Sequence, residues 1–147
     1  MNSDGVSSVR NPSSIKTRFA HRFVRALKKL SMERGNCSPA DKYKRYRMIR
    51  AAAYASMASS VGPKRAWARA LLRRIRNRKM GGNLMKRRRG KKREYLMGSA
   101  QENSLRELVP GGEGMDFCRL LNETGHYIKC LTAQVKVMKN IIHLYSN

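Results

Sequence analysis

Acidic residues are scarce in this chain, with 9 Asp+Glu against 33 Lys+Arg in 147 residues and a formal net charge of +24. So few carboxylates, with no Gly-rich phosphate loop and no nucleophile beside a paired base, speak against an enzyme, and no cofactor is expected. Cysteines are few and odd in number: Cys37, Cys118 and Cys130 lack the spacing of a metal site. Long hydrophobic runs are missing too. The longest stretch without a charge, Ala51 to Pro63, is Ala/Ser-rich and too short and polar to cross a bilayer, so no membrane partner is expected. The polar start, Met1 to Ser14, does not resemble a signal peptide, and a reducing compartment fits the cysteine usage.

What the chain has in quantity is positive charge, unevenly placed. Residues 1–94 hold 28 Lys/Arg and 4 acids, whereas residues 95–147 hold 5 of each. The first part must be solvated or laid on an anion, while the neutral second part is free to pack. The expected division is a disordered tail at 1–14, a basic helical region at 15–80, a basic and polar linker at 81–104, and a C-terminal module at 105–147. The fold class is all-α, with about three short basic amphipathic helices ahead of that module.

Local patterns set the helices. Ile15, Phe19, Phe23, Leu27 and Leu30 recur every three to four residues among Lys16, Arg18, Arg22, Arg25 and Lys28, and this helix should stop near Gly35. Ser38 can cap a second helix that opens on Pro39, with Tyr43, Tyr46, Ile49, Ala53 and Met57 on one face. Gly62-Pro63 ends it. A third starts at Lys64, carries Trp67, Leu71 and Ile75 at four-residue spacing, and ends at Gly81-Gly82-Asn83.

In the neutral part, a short apolar piece from Leu105 to Val109 is broken by Pro110 and the glycines between 111 and 114, after which Asp116 can cap a long helix. Along that helix Cys118, Leu121, Gly125, Ile128, Leu131, Val135, Met138, Ile142 and Tyr145 recur at spacings of three and four, as a heptad seam does. Two readings of this seam are evenly balanced on periodicity. It is either a surface for a second chain or the ordinary core of a four-helix monomer built with the basic helices.

The segment Leu108-Val-Pro-Gly111, Met115-Asp116, then Leu120-Leu-Asn-Glu-Thr-Gly-His-Tyr-Ile-Lys-Cys-Leu-Thr-Ala-Gln-Val135 resembles the plant basic helix-loop-helix (HLH) family. The resemblance implies a dimerisation module that contributes two helices to a parallel four-helix bundle. The residues it and the heptad period single out for dimerisation are Leu105, Leu108, Leu121, Ile128, Leu131, Val135 and Met138. Gap-free counting back from Leu108 puts Arg87, Lys91 and Tyr95 where that family reads an E-box with His, Glu and Arg. Lysine cannot accept from a cytosine amino group as the glutamate does, so the E-box code is absent, although a gapped alignment would bring Glu94 toward the position. Gly98 and Glu102 also stand where the family has apolar seam residues, which weakens the first helix.

With the block Ile49 to Arg78, the whole chain is similar to the atypical, non-E-box members of the family, related to the HLH inhibitors of cell elongation in brassinosteroid and gibberellin signalling. The implied function is sequestration of activating HLH partners in the nucleus, with heterodimers favoured and a homodimer as the alternative. The rival readings are a DNA-binding regulator with a divergent basic region and a general nucleic-acid-binding basic protein. Lys86, Arg87, Arg88, Arg89, Lys91, Lys92 and Arg93 suit a nuclear import receptor and weak, non-specific DNA contact.

Two further features have a plain structural reading. Trp67, Tyr43, Tyr46 and Tyr54 could stack on bases, but their helical spacing suits packing better. His126 and Cys130 lie one turn apart, yet two ligands are too few for zinc, so no metal is assigned.

Overall fold

The computed structural model describes residues 12–32, 38–80 and 99–146. These form five α-helices, α1 (Pro12–Met32), α2 (Pro39–Val61), α3 (Ala66–Met80), α4 (Ala100–Leu108) and α5 (Phe117–Ser146), with a 3-10 turn at Gly112–Gly114. No strand occurs among the described residues. The all-α expectation holds. Of the tail expected at 1–14, residues 1–11 lie outside the described residues, and 12–14 belong instead to α1, which begins at Pro12.

The first helix forms as its period predicts. Phe19 and Phe23, one turn apart, are buried and stacked with ring centroids 5.5 Å apart, and Ile15 and Leu27 continue the face against the core. In α2, Ser38 Oγ accepts the Asp41 N–H at 3.4 Å, Pro39 stands in the first turn, and Gly62 closes the helix at φ +86° with its N–H on the Ala58 carbonyl. Buried residues gather in the second half of α2, where Ala53, Met57, Ala58 and Val61 are covered. Tyr43 and Tyr46 are exposed and do not join that face, contrary to the packing expected of them. The reason is connectivity: α3 follows directly from the C-terminal end of α2, so the third helix covers α2 at that end only. Arg47 lies over the Tyr43 ring instead, 6.0 Å from its centroid, and Arg50 over Tyr54 at 5.8 Å.

Trp67 and Ala68 are fully buried on α3, and Leu71 nearly so. They share one core with Phe19, Met57 and Val61 from the basic region and with Val109, Met115, Leu120, Cys130 and Val137 from the neutral part. The sharp change in charge along the sequence is therefore no boundary in packing. One core runs through both halves, and α5 lies along α1, α2 and α3.

Candidate helix-pairing site

The α4–α5 hairpin is built around a single arginine. Ser99 Oγ accepts the Glu102 N–H at 3.2 Å and starts α4, so the first helix of the hairpin begins at Ala100, ahead of the Leu105 piece expected from hydropathy. The Ser-x-x-Glu signal was present at 99–102. Glu102, read as an apolar position lost, pairs with Arg106 one turn on, Oε1 to Nη2 at 2.5 Å with both side chains largely covered. Arg106 then reaches across the loop and donates to the carbonyls of Gly112, at 3.1 Å, and Met115. Gly98 lies outside the described residues.

The loop rests on α3. Gly111 sits in the left-handed region at φ +80°, and a Cβ built there would stand 2.8 Å from the Ala70 Cβ. Glycine is needed on both counts. As expected, Asp116 opens α5 by accepting the Arg119 N–H at 2.9 Å.

One face of α5 is fastened to the start of α3. The turn before α3, Gly62-Pro-Lys-Arg65, supplies no short polar capping side chain, and Glu123 takes that part from 56 residues away. Its Oε2 accepts the Trp67 backbone N–H at 3.1 Å, and Arg65 lies 3.8 Å from Oε1 while donating to Asn122 Oδ1 at 2.6 Å. Glu123 is 6% exposed, so its contacts with the helix N-terminus and Arg65 offset the cost of burying the carboxylate. The Trp67 indole N–H donates to His126 Nδ1 at 3.2 Å, and its ring lies 4.9 Å from Tyr127. Burial, then the Arg65 charge, lowers the His126 pKa below its ordinary 6.5, which keeps the ring neutral and able to accept. Burial pushes the Cys130 thiol up to about 11. Cys130 Sγ lies 3.6 Å from His126 Nδ1, and no group of three metal-ligating side chains occurs among the described residues.

The helix carries two heptad registers side by side. The inward one, Leu120, Thr124, Tyr127, Leu131, Gln134, Met138 and Ile141, faces α1–α3. The outward one is Leu121, Ile128, Val135 and Ile142, at seven-residue intervals and 48%, 55%, 49% and 64% exposed. Each is offset from its inward neighbour by a single residue. The seam read from the sequence merged the two: Leu131 and Met138 pack into the protein's own core, while Leu121, Ile128 and Val135 look outward. On α4, Leu105 packs against the core and Leu108 is 73% exposed. The four-helix reading of the seam is realised in part, since α5 packs on the basic helices, while an apolar stripe on its other side stays uncovered. A shallow groove along that stripe is lined by Ile128, Leu131, Val135, Lys136 and Lys139, among others. The seven basic residues expected in nuclear import, Lys86 to Arg89 and Lys91 to Arg93, lie outside the described residues, as do Tyr95 and Glu94.

The family model described as "IBH1-like, N-terminal domain" matches residues 12–79, which are α1 to α3. Over most of its length the chain is similar to a rice protein (Oryza sativa subsp. japonica) named Transcription factor IBH1, with 32% identity across 91% of this chain and 81% of that one. The protein of the same name from Oryza sativa subsp. indica shares 33% over the same proportions. Transcription factor bHLH146 of Arabidopsis thaliana shares 30%, over 90% of this chain and 86% of its own. No solved structure gives a significant match.

Proposed function

This chain belongs to the IBH1-like family, and from that premise we propose that it is a nuclear transcriptional regulator that works by pairing with other HLH proteins. It holds activating, DNA-reading partners in complexes that cannot read an E-box, and so acts as a negative regulator of cell elongation in brassinosteroid and gibberellin signalling. The observation that carries this reading is the outward stripe of α5. Four aliphatic side chains at heptad spacing stand about half in water on a helix whose other face is already satisfied. Apolar rows of that kind mark partner surfaces, and burying each side chain is worth roughly 1.5 to 3 kcal/mol. The absence of E-box-reading residues at Arg87, Lys91 and Tyr95 supports a partner-blocking role over direct DNA reading. The basic run from Lys86 to Arg93 supplies a nuclear import signal.

The test is a pull-down of HLH proteins with the wild-type chain and with Ile128→Glu. A carboxylate in the middle of the stripe should abolish capture while helical content stays unchanged. Undiminished capture would sink the pairing mode. A gel shift with E-box and scrambled duplexes at physiological salt completes it: the chain alone should show no preference, and it should remove a partner's E-box band.

A second reading has one observation in its favour. Asp41 is the only acid in α1 to α3, so these helices form a surface of nearly unmixed positive charge that suits phosphate contact. Binding of that kind would be indifferent to sequence, would weaken steeply with salt, and would survive Ile128→Glu.

A further inference from the structure

The outward stripe of α5 is continuous in direction but not in chemistry. Lys139 lies four residues after Val135 and three before Ile142, about 40° and 60° round the helix from them, so it stands at the edge of the stripe between the two. Lys129 and Lys136, seven residues apart, form a row along the flank away from the core. All three are exposed, and none makes an ion pair among the described residues. The only acid in α5 is Glu123, which points into the core, is buried, and accepts the Trp67 N–H.

Two copies of this chain brought together along α5 would therefore meet lysine with lysine, whether the helices ran parallel or antiparallel. Each contact would push an ammonium group against another over an apolar strip that excludes water, where like charges cost most. A charged residue within a helix-pairing seam is also the device that fixes register and partner choice at some expense in affinity.

On the basis of the helix-pairing reading, we propose that Lys136 and Lys139 are specificity-determining residues: they set two copies of this chain apart and select an HLH partner helix with carboxylates opposite them. The partner is thus an HLH protein whose second helix is acidic along its pairing edge. Aliphatic contact supplies the adhesion, and the lysines decide with whom.

The experiment uses the full chain and its Lys136→Glu/Lys139→Glu variant, both sites being solvent-exposed so that the fold is undisturbed. Sedimentation velocity on each alone and on the equimolar mixture reads pairing directly. Charge selection predicts that the mixed pair forms about tenfold more tightly than the wild-type pair at low salt, and that this preference shrinks as salt is raised to about 500 mM. A mixture that pairs no better than wild type alone overturns the proposal. In parallel, the double variant should lose most of the HLH partners that wild type captures. If Ile128→Glu abolishes capture but the double variant leaves it intact, charge selection is wrong while pairing stands. If Ile128→Glu leaves capture intact, the pairing reading itself fails.

Discussion

Glu123 and Trp67 meet at the start of α3, where the buried carboxylate accepts the tryptophan's backbone N–H at 3.1 Å and so caps a helix that its own flanking sequence leaves uncapped. Glu123→Gln keeps the shape and one acceptor but removes the charge facing the helix N-terminus and Arg65. The expected cost is about 1 to 3 kcal/mol of unfolding free energy, measured by urea denaturation. Trp67, the single tryptophan, is a built-in reporter, and its emission should shift to the red in the variant as the α3–α5 junction loosens.

His126 makes the same junction sensitive to acid. Its pKa is lowered in the folded chain, chiefly by burial and then by Arg65, with Glu123 opposing and Lys129 adding to the effect. In the unfolded chain it titrates near 6.5. As pH falls through that value the unfolded state takes up the proton more readily, so stability falls with it and levels off only below the folded pKa. Above that range the histidine is neutral in both states and contributes no pH dependence. His126→Asn retains an acceptor for the Trp67 indole N–H without a titrating group. Thermal melts from pH 8 down to 5 should therefore show a steeper loss of stability in wild type than in the variant.

The loop between α4 and α5 depends on Gly111. A Cβ at this position would meet both the left-handed backbone and the Ala70 side chain at 2.8 Å. Gly111→Ala should destabilise the protein by about 1 to 2 kcal/mol from the backbone alone, and by more once the loop lifts from α3. At Gly114 the added Cβ meets nothing within 4 Å, so Gly114→Ala is the control and should fall within about 0.5 kcal/mol of wild type.

The two cysteines of α5 should differ sharply in reactivity. Cys118 is exposed, whereas Cys130 is buried with its thiol pushed up to about 11. Brief treatment with iodoacetamide at pH 8, followed by peptide mass mapping, should label Cys118 and spare Cys130. Labelling of both at equal rates in the folded chain would show that α5 does not stay docked on α1–α3.

How much of this was legible in the sequence depends on the distance over which each feature acts. The stacked Phe19 and Phe23, the Ser38-Pro39 start of α2 and the Asp116 cap all follow from residues within a turn or two of each other, and the chain writes them openly. Ser99-x-x-Glu102 is equally local, yet the family's apolar pattern hides Glu102, whose partner is Arg106 one turn on. The Glu123–Trp67 contact spans 56 positions and leaves no local mark, because nothing near Trp67 announces that its cap comes from another helix. Tyr43 and Tyr46 keep the helical period but lie where no third helix arrives, and periodicity carries no information about neighbours.

The outward apolar stripe of α5 was legible only as a blur, for a reason of geometry. Leu120 with Leu121 and Gln134 with Val135 are adjacent residues about 100° apart around the helix, so two apolar registers offset by one position look like a single broad seam. This yields the most discriminating prediction. Ile128→Glu and Leu131→Glu put the same charge within one turn of α5, but only Leu131 packs against the protein's own core. Leu131→Glu should lower the melting temperature, expose Trp67 and lose HLH partners together, as an unpaired carboxylate at a half-buried core contact demands. Ile128→Glu should lose partners while melting and Trp67 emission stay as in wild type. If both variants unfold alike, the outward register is core as well and no free pairing face exists. If both fold and bind alike, α5 is not docked as described.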